Sequence, residues 1–254
     1  MYFIGLSIIA VLLLLFMWKE AFRNHVSNQV IHLENLPESF SDLHIFFISD
    51  IHRRLIHQDI IEQVKGKVDI VIIGGDLTER GVPFSRTKEN IQRLNVLGPV
   101  YFVWGNNDFE VNNANLRREL ISSNVKILEN SHATLRSQTG EKIYLIGVGE
   151  ISFELDRLDI ALENIDDPNG FKIVICHNPE IVDQITPADN IPLVLSGHTH
   201  GGQINFFGLG LYPIGKLHHL SFTNILISNG YGTTKLPLRL CARAECHLIK
   251  ISKN

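Results

Sequence analysis

Short apolar runs, most of them ending in a polar residue, alternate with segments of helical pattern along most of the chain. The runs have the length and the β-branched content of buried strands. Segments at 60–64, 87–94 and 116–121 read as helices between them. An alternation of strands and helices predicts an α/β fold, with a sheet covered by helices on both faces. The predicted strands are 43–49, 68–75, 99–106, 142–148, 171–177, 191–198, 224–229 and 246–251.

The first 18 residues, 1–18, carry no charged side chain. As a helix they would span about 27 Å, close to the hydrocarbon thickness of a bilayer. The segment lacks the basic start and the small-residue cleavage site of a signal peptide. We therefore predict an uncleaved transmembrane anchor, and a buried core helix remains the alternative.

Residues 19–41 are predicted to be a polar connector, and 42–254 a single domain. Lys19 and Arg23 follow the apolar segment, whereas no basic residue precedes it. This charge bias favours a domain on the cytoplasmic side. The expectation is a single-pass protein of the cell membrane, in contact with the bilayer through its N-terminal helix.

The composition narrows the classes of partner. With 44% hydrophobic and 20% charged residues, the chain is typical of globular proteins. Lys and Arg number 23 against 27 Asp and Glu, giving a net charge of -4. A nucleic-acid partner is not expected, because such binders are usually basic. Three cysteines cannot form a disulfide framework.

Five of the predicted strands end at side chains that bind metals. In open α/β sheets, ligands bind outside the carboxyl ends of the strands, so these side chains are expected to converge. Each motif alone has an ordinary structural explanation, such as a capped turn, but their ordered occurrence favours a metal centre. Oxygen and imidazole donors without a thiolate suit two divalent ions, Mn, Fe or Zn. The candidate ligands are Asp50, His52, Asp76, Asn106, His177, His198 and His200.

The motifs SDIH, GGD, GNND, CHN and SGHTH resemble those of the calcineurin-like metallophosphoesterases, over roughly 43–254. SGHTHGGQ and the later YGTTKLPLRL are similar to a membrane-associated branch of phosphohydrolases in that family. The resemblance implies a four-layer α/β (α+β) fold, in which a two-sheet β-sandwich is flanked by helices. It also implies a phosphorylated substrate, either a small molecule or a lipid.

The resemblance further implies two ligand sets that share Asp76 as a bridging and catalytic residue. Hydroxide activated by the metals would cleave phosphodiester or pyrophosphate bonds. Lipid-linked or nucleotide-sugar compounds are the expected substrates. Two alternatives stay open: a metal-binding regulatory protein with reduced or lost turnover, and a phosphomonoesterase. The first set would be Asp50, His52 and His200, and the second Asn106, His177 and His198.

Asn107 departs from the family pattern, which commonly has a histidine at this position. That histidine is thought to steady the transition state or to protonate the leaving oxygen. An asparagine side chain donates a hydrogen bond but delivers no proton at neutral pH. Asn107 therefore occupies the catalytic position of that histidine but cannot protonate the leaving oxygen. Nothing in the spacing of the motifs assigns this proton-donating role to His57.

Two other segments carry open interpretations. Glu79, Arg80, Arg86 and Arg93 are predicted to form a solvated loop and helix face, although Arg80 follows Asp76 closely enough to contact substrate. The loop 206–212 is apolar and interrupted by glycines. It either dips into lipid, holds an acyl chain or folds on its own core.

Overall fold

The computed structural model describes residues 2–206 and 209–253. Phe207 and Gly208 of the apolar loop lie outside the described residues, as do Met1 and Asn254. The strands are β1 (Val26–Leu33), β2 (Leu43–Ile48), β3 (Ile70–Gly74), β4 (Val100–Val103), β5 (Lys126–Ile127), β6 (Ser131–Arg136), β7 (Lys142–Gly147), β8 (Phe171–Ile175), β9 (Leu193–Ser196), β10 (Leu217–His219), β11 (Asn224–Ile227) and β12 (Cys246–Lys253). The helices are α1 (Tyr2–Ala21), α2 (Gln58–Val64), α3 (Phe84–Asn95), α4 (Asn113–Ser122) and α5 (Leu158–Leu162).

The strands form two mixed sheets of six strands each. The first has the order β1-β12-β2-β3-β4-β5, and the second has the order β10-β11-β9-β8-β7-β6. Strands β2 to β5 run parallel in the first sheet, and β7, β8, β9 and β11 run parallel in the second. The eight predicted strands and the three predicted helices are all present.

Strand side chains alternate between two apolar layers. Ile45 and Phe47 of β2 belong to the core between the two sheets. Phe46 and Ile48 point the other way and pack against α2, α3 and α4. A third cluster joins the outer face of the second sheet to α5 and to the short 3-10 helix Pro179–Gln184. The result is the two-sheet sandwich flanked by helices that the resemblance implies, and that prediction is confirmed.

Helix α1 stands largely outside these layers. Within α1, the stretch Phe3–Ala21 has a mean hydropathy of 2.0, and 6% of the residues in its most apolar part are buried. It is the one helix in the described part of the chain that is long and apolar enough to cross a membrane. Exposure along the helix argues against the alternative of a buried core helix.

Residues 19–41 contain a strand that the sequence analysis does not predict. Strand β1 pairs in parallel with β12, so the first sheet begins at Val26 rather than after residue 41. Ile31 and Leu33 are each 1% exposed. The strand escapes detection because it lies at a sheet edge and shows polar side chains at three consecutive positions, 27–29. The predicted polar connector is therefore wrong for this segment.

The burial of β1 predicts a clear stability difference between neighbouring positions. Ile31→Ala should lower the free energy of unfolding by about 2–5 kcal/mol, because it leaves a cavity between packed layers. Val30→Ala, on the same strand but 55% exposed, is the matched control and should change it by less than about 0.5 kcal/mol. Urea unfolding in detergent micelles measures both, and equal losses would contradict the inclusion of β1 in the sheet.

Candidate metal centre

The seven predicted ligand residues meet at one edge of the sandwich. Strands β2, β3 and β4 of the first sheet point their carboxyl ends toward those of β8 and β9 of the second. Hydrogen bonds and ion-pair contacts connect all seven residues into one cluster. The convergence expected from strand polarity is therefore present, and it joins two sheets.

The loops after these strands bend sharply at the candidate ligands. Five non-glycine residues of the cluster have φ in the left-handed region. This conformation is strained for residues with a Cβ and persists only where the surrounding structure enforces it. Such strain concentrates at functional sites. The five are Asp50 (53°), His52 (51°), Asp76 (52°), His198 (70°) and His200 (51°).

One group of donor atoms comprises Asp50, His52 and His200, all buried and within 4.8 Å of one another. The two imidazoles are stacked at 5.0 Å with an angle of 23°, and their Nε2 atoms lie 3.1 Å apart. Asp50 Oδ1 is 3.3 Å from His200 Nε2. The donor atoms therefore face one common point.

A second group comprises Asp50, Asp76 and His177, also buried and within 4.8 Å. Asp76 Oδ2 lies 3.3 Å from His177 Nε2 and 3.7 Å from His52 Nε2. Asp50 Oδ1 lies 3.9 Å from His177 Nε2. Both carboxylates thus stand between the two groups.

Asn106 and His198 lie beside the second group and are partly exposed. Asn106 Oδ1 is 3.0 Å from His198 Nδ1. The rings of His198 and His177 are 5.1 Å apart, nearly perpendicular at 84°. The backbone N–H of His198 donates to Asp50 Oδ1 at 3.1 Å.

His177 shows that these residues fit divalent metal ions. Its Nδ1 lies 2.8 Å from the carbonyl oxygen of Gly74, so Nδ1 carries the hydrogen. Its Nε2 is buried, faces two carboxylates and has no hydrogen-bond partner among the described residues. A buried nitrogen without a partner needs an explanation, and an imidazole fixed by a backbone carbonyl is the usual form of a metal ligand.

The electrostatics of the pocket favour a positive charge at the same place. Burial alone would lower the pKa of His177, but the carboxylate of Asp76 raises it well above the usual value. Burial alone would raise the pKa of Asp76, and His177 holds it below its usual value. Burial, followed by the neighbouring His52, lowers the pKa of His200 well below normal. His200 is therefore a neutral donor, and the carboxylates attract a cation.

Glu79 corrects one expectation of the sequence analysis. It is 5% exposed rather than solvated, and its Oε2 lies 3.0 Å from His52 Nδ1. Arg53 donates to its other oxygen. A carboxylate behind a ligand histidine fixes the ring and its tautomer. Glu79 follows Asp76 by three residues in the sequence, but this spacing does not predict the contact between Glu79 and His52.

Asp108 has no assigned role in the sequence analysis, yet it shapes the loops of the centre. It is fully buried and accepts hydrogen bonds from the backbone N–H groups of Asp76 (2.8 Å), Gly105 (3.0 Å) and Thr78 (3.0 Å). Burial, with the nearby charge of Asp76, raises the pKa of Asp108 to about 7. A Cβ at Gly105 would lie 2.3 Å from Asp76 Oδ1, so only glycine fits there.

The remaining candidates have distinct positions. Asn107 is half-buried, and its backbone N–H donates to Asp76 Oδ1 at 2.7 Å. Arg80 is exposed, and its backbone N–H donates to Glu110 at 3.1 Å. A substrate contact by Arg80 stays a prediction. His57 caps the start of α2 and is exposed.

A two-sheet α/β sandwich with Asp and His side chains gathered at its strand ends defines the class of a metal-dependent hydrolase. The sequence profile described as calcineurin-like phosphoesterase matches residues 43–202. The chain belongs to the calcineurin-like phosphoesterase family. Family membership, together with the side chains positioned for a metal site, makes the protein a metal-dependent phosphoesterase.

Relatives of known sequence fit this assignment. The uncharacterized protein YpbG of Bacillus subtilis is 44% identical over 237 residues, covering 92% of this chain and 90% of that protein. A transmembrane protein with metallophosphoesterase domain from Danio rerio is 31% identical over 245 residues, covering 85% of this chain and 54% of that protein. The similarity to a transmembrane relative fits the membrane-associated branch of the family.

Solved structures support the fold. The NAD nucleotidase (NadN) of Haemophilus influenzae superposes with a TM-score of 0.55 at 15% identity, covering 75% of this chain and 45% of that chain. The 5'-nucleotidase precursor of Thermus thermophilus gives 0.53 at 14% identity, covering 82% and 54%. The chain thus spans about half the length of these proteins, and at such identity the likeness concerns the fold alone.

The contact between Glu79 and His52 predicts an effect on metal affinity. Glu79→Gln should weaken metal binding by about 10–100-fold, because the carboxylate no longer orients the imidazole. Glu89→Gln, at an exposed carboxylate on α3 that pairs with Arg93, is the matched control. Calorimetric titration with Mn²⁺ measures both variants, and unchanged affinity in Glu79→Gln would show that the carboxylate does not support the site.

Proposed function

We propose that the protein is a dinuclear phosphohydrolase that cleaves phosphodiester or pyrophosphate bonds at the edge of a membrane. The observation that carries this proposal is the pair of donor groups with carboxylates standing between them. One ion of either Mn, Fe or Zn would occupy each group. Helix α1 would hold the chain in the cell membrane as a single span. The basic residues Lys19 and Arg23 at the end of this span favour a domain on the cytoplasmic side.

The proposed ligand sets share Asp76. Its Oδ2 lies within 3.7 Å of an imidazole nitrogen from each donor group, which supports a bridging position. Asp50 also approaches both groups, but its Oδ2 accepts from Ser49 Oγ at 2.6 Å. The proposed sets are Asp50, His52 and His200 for one ion, and Asn106, His177 and His198 for the other.

The charge balance suits a phosphate. Two divalent ions outweigh the carboxylates of Asp50 and Asp76, so the filled site would be positive and would attract an anionic phosphoryl group. When bound, the metals would activate a water nucleophile and offset charge on the phosphoryl oxygens. The backbone N–H of Asn107 donates to Asp76 Oδ1, so Oδ2, which lies near the imidazoles of His52 and His177, would be the oxygen that holds the ions.

Asn107 bears on the choice of substrate. Its side-chain Oδ1 accepts a hydrogen bond from Asn106 Nδ2, so its amide group can donate toward substrate but has no proton to transfer. Substrates whose leaving oxygen needs no proton are therefore favoured. Pyrophosphate linkages and aryl esters meet this condition, and lipid-linked or nucleotide-sugar pyrophosphates are the natural compounds of this type that we propose.

The same residue supports a second candidate function. A protein with this centre and no proton donor would bind metals and a phosphorylated ligand without turnover, as a regulatory protein does. Hydrolysis of an activated aryl phosphodiester with Mn²⁺ separates the two functions. A preference for monoesters over diesters would instead identify a phosphomonoesterase.

The bridging position of Asp76 predicts a loss of metal and activity together. Asp76→Asn should remove most bound metal and nearly all turnover of an aryl phosphodiester, because an amide is a weaker ligand and cannot bridge two cations as a carboxylate does. Asp59→Asn, at an exposed carboxylate on α2, is the control and should behave as wild type. Elemental analysis gives ions per chain, and retention of two ions in Asp76→Asn would overturn the bridge.

Asn107 predicts a dependence on the leaving group. General acid–base catalysis typically contributes about 10²–10⁴-fold, and it matters most for poor leaving groups. Asn107→His should therefore raise turnover of alkyl esters more than that of aryl esters. Rates across a series of esters with different leaving-group pKa values measure the slope for both proteins. Equal slopes would show that proton delivery at this position does not limit the reaction.

A further inference from the structure

The end of α1 is packed onto the domain. Met17, Glu20 and Ala21 are 7%, 9% and 1% exposed, whereas the other described side chains of the helix are exposed. The backbone N–H of Arg239 donates to the carbonyl of Met17 at 3.0 Å. The guanidinium of Arg54 donates to the carbonyls of Ala21, Phe22 and Arg23 at 3.3–3.4 Å. These bonds satisfy carbonyls at the helix end and just after it, and they hold that end against the domain.

The same two arginines stand behind the metal centre. Arg54 follows His52 by two residues, and its guanidinium lies over the ring of Tyr231 at 3.7 Å. Arg239 is fully buried and donates to the carbonyl of His200 at 3.3 Å. Arg239 therefore contacts both the end of α1 and the backbone of His200.

Two loops next to the base of α1 are joined to each other. Gln203 Nε2 donates to the carbonyls of Thr234 and Leu236 at 3.1 and 2.9 Å. The backbone N–H of Leu240 donates to the Gln203 carbonyl at 2.9 Å. We call the described residues of segments 203–216 and 233–241 the apolar collar. The Arg239–Met17 bond connects the collar directly to α1.

The collar exposes large apolar side chains close together along these two loops. Single exposed apolar residues are common on proteins, but a group of them marks an interaction surface. Leu209 and Leu211 are 82% and 84% exposed, among the highest values outside α1. The others are Ile204 (42%), Phe206 (56%), Tyr212 (40%), Ile214 (40%) and Leu236 (62%).

The charged side chains around the collar are mostly basic. The sequence of 203–216 and 233–243 contains no acidic residue. Lys216, Lys235 and Arg243 are exposed there, and Arg243 also lies 3.7 Å from the carboxylate of Glu20 in α1. At the end of α1, Trp18 and Phe22 are 54% and 44% exposed, and such aromatic rings favour the membrane interface. Apolar side chains bordered by basic ones are typical of surfaces that bind anionic lipids.

We propose that the apolar collar inserts into the bilayer surface beside α1. The proposal rests on the membrane anchoring proposed above for α1, which the bond from Arg239 to Met17 joins to the collar. The ring of Tyr212 lies 6.5 Å from the ring of His198, so the collar borders the metal centre. Insertion would open the centre at the level of the lipid headgroups, and a phosphoester carried by a membrane lipid is the substrate class that this position favours.

The test uses the full chain in vesicles of phosphatidylcholine and phosphatidylglycerol. An environment-sensitive fluorophore is attached at a single cysteine in a Cys241→Ser background, in which Cys176 and Cys246 are buried. The collar label is at Leu211→Cys and the anchor label at Leu13→Cys. Ile121→Cys is the matched control, at an apolar residue of α4 that is 62% exposed. Lipids with a nitroxide on the acyl chain quench fluorophores that reach the bilayer.

The collar label should be blue-shifted and quenched, whereas the control label should show neither change. Quenching at position 13 with none at 211 would leave the anchor intact and overturn the collar proposal. Quenching at position 211 without quenching at position 13 would support insertion of the collar and contradict a membrane-spanning α1. Quenching at neither position would overturn both proposals. A blue shift at 211 without quenching would indicate a protein partner, including a second copy of the chain, and would also overturn the proposal.

An activity measurement separates the collar from the chemistry. The double variant Leu209→Asp with Leu211→Asp should lose hydrolysis of a vesicle-borne phosphoester while keeping that of a soluble aryl phosphodiester. Ile121→Asp should keep both. Equal losses on the two substrates would contradict membrane docking. If the wild type turns over neither substrate, the proposed hydrolase function fails, and the quenching pattern still decides the collar.

Discussion

The structure depends on a buried cluster of carboxylates and imidazoles. This cluster is stable only when positive charge lies among its side chains. Asp50 and Asp76 are nearly inaccessible to solvent, and burying two anions a few ångströms apart is costly unless cations compensate. Burial acts to lower the pKa of His177, yet the carboxylate of Asp76 raises it well above its usual value, so positive charge is favoured beside the two carboxylates. Divalent ions would compensate the negative charge of the two carboxylates more strongly than a proton. Nε2 of His177 faces both carboxylates and is placed to bind such an ion.

The rest of the fold keeps that cluster in place. Two parallel strand sets from different sheets deliver the side chains, and the apolar layer between the sheets fixes their relative position. The strained backbone at the ligands is held by bonds from outside the cluster. Asp108 binds the backbone at Asp76, and Arg239 binds the backbone at His200. Glu79 supports His52 from behind.

The position of α1 would connect this chemistry to the membrane that the helix is proposed to span. A flexible connector would leave the domain free to turn away from the bilayer. Strand β1 follows the helix after four residues, and Arg54 and Arg239 donate hydrogen bonds to carbonyls in the last turns of α1, those of Ala21 and Met17. The helix, the apolar collar and the metal centre therefore lie in succession, which gives the active site one orientation toward the bilayer that α1 is proposed to span.

The sequence by itself determined the strands that carry the chemistry and the seven candidate ligands, because apolar runs ending in Asp, Asn or His can be recognised locally. It also determined an apolar helix of membrane-spanning length. Tertiary structure alone decided three things: that β1 completes a sheet by pairing with β12, 220 residues away in the register Val26↔Cys246, that Glu79 and Asp108 are buried behind the ligands, and that α1 packs beside the metal centre. Each depends on contacts between residues distant in the chain, and no local pattern of polarity encodes such contacts.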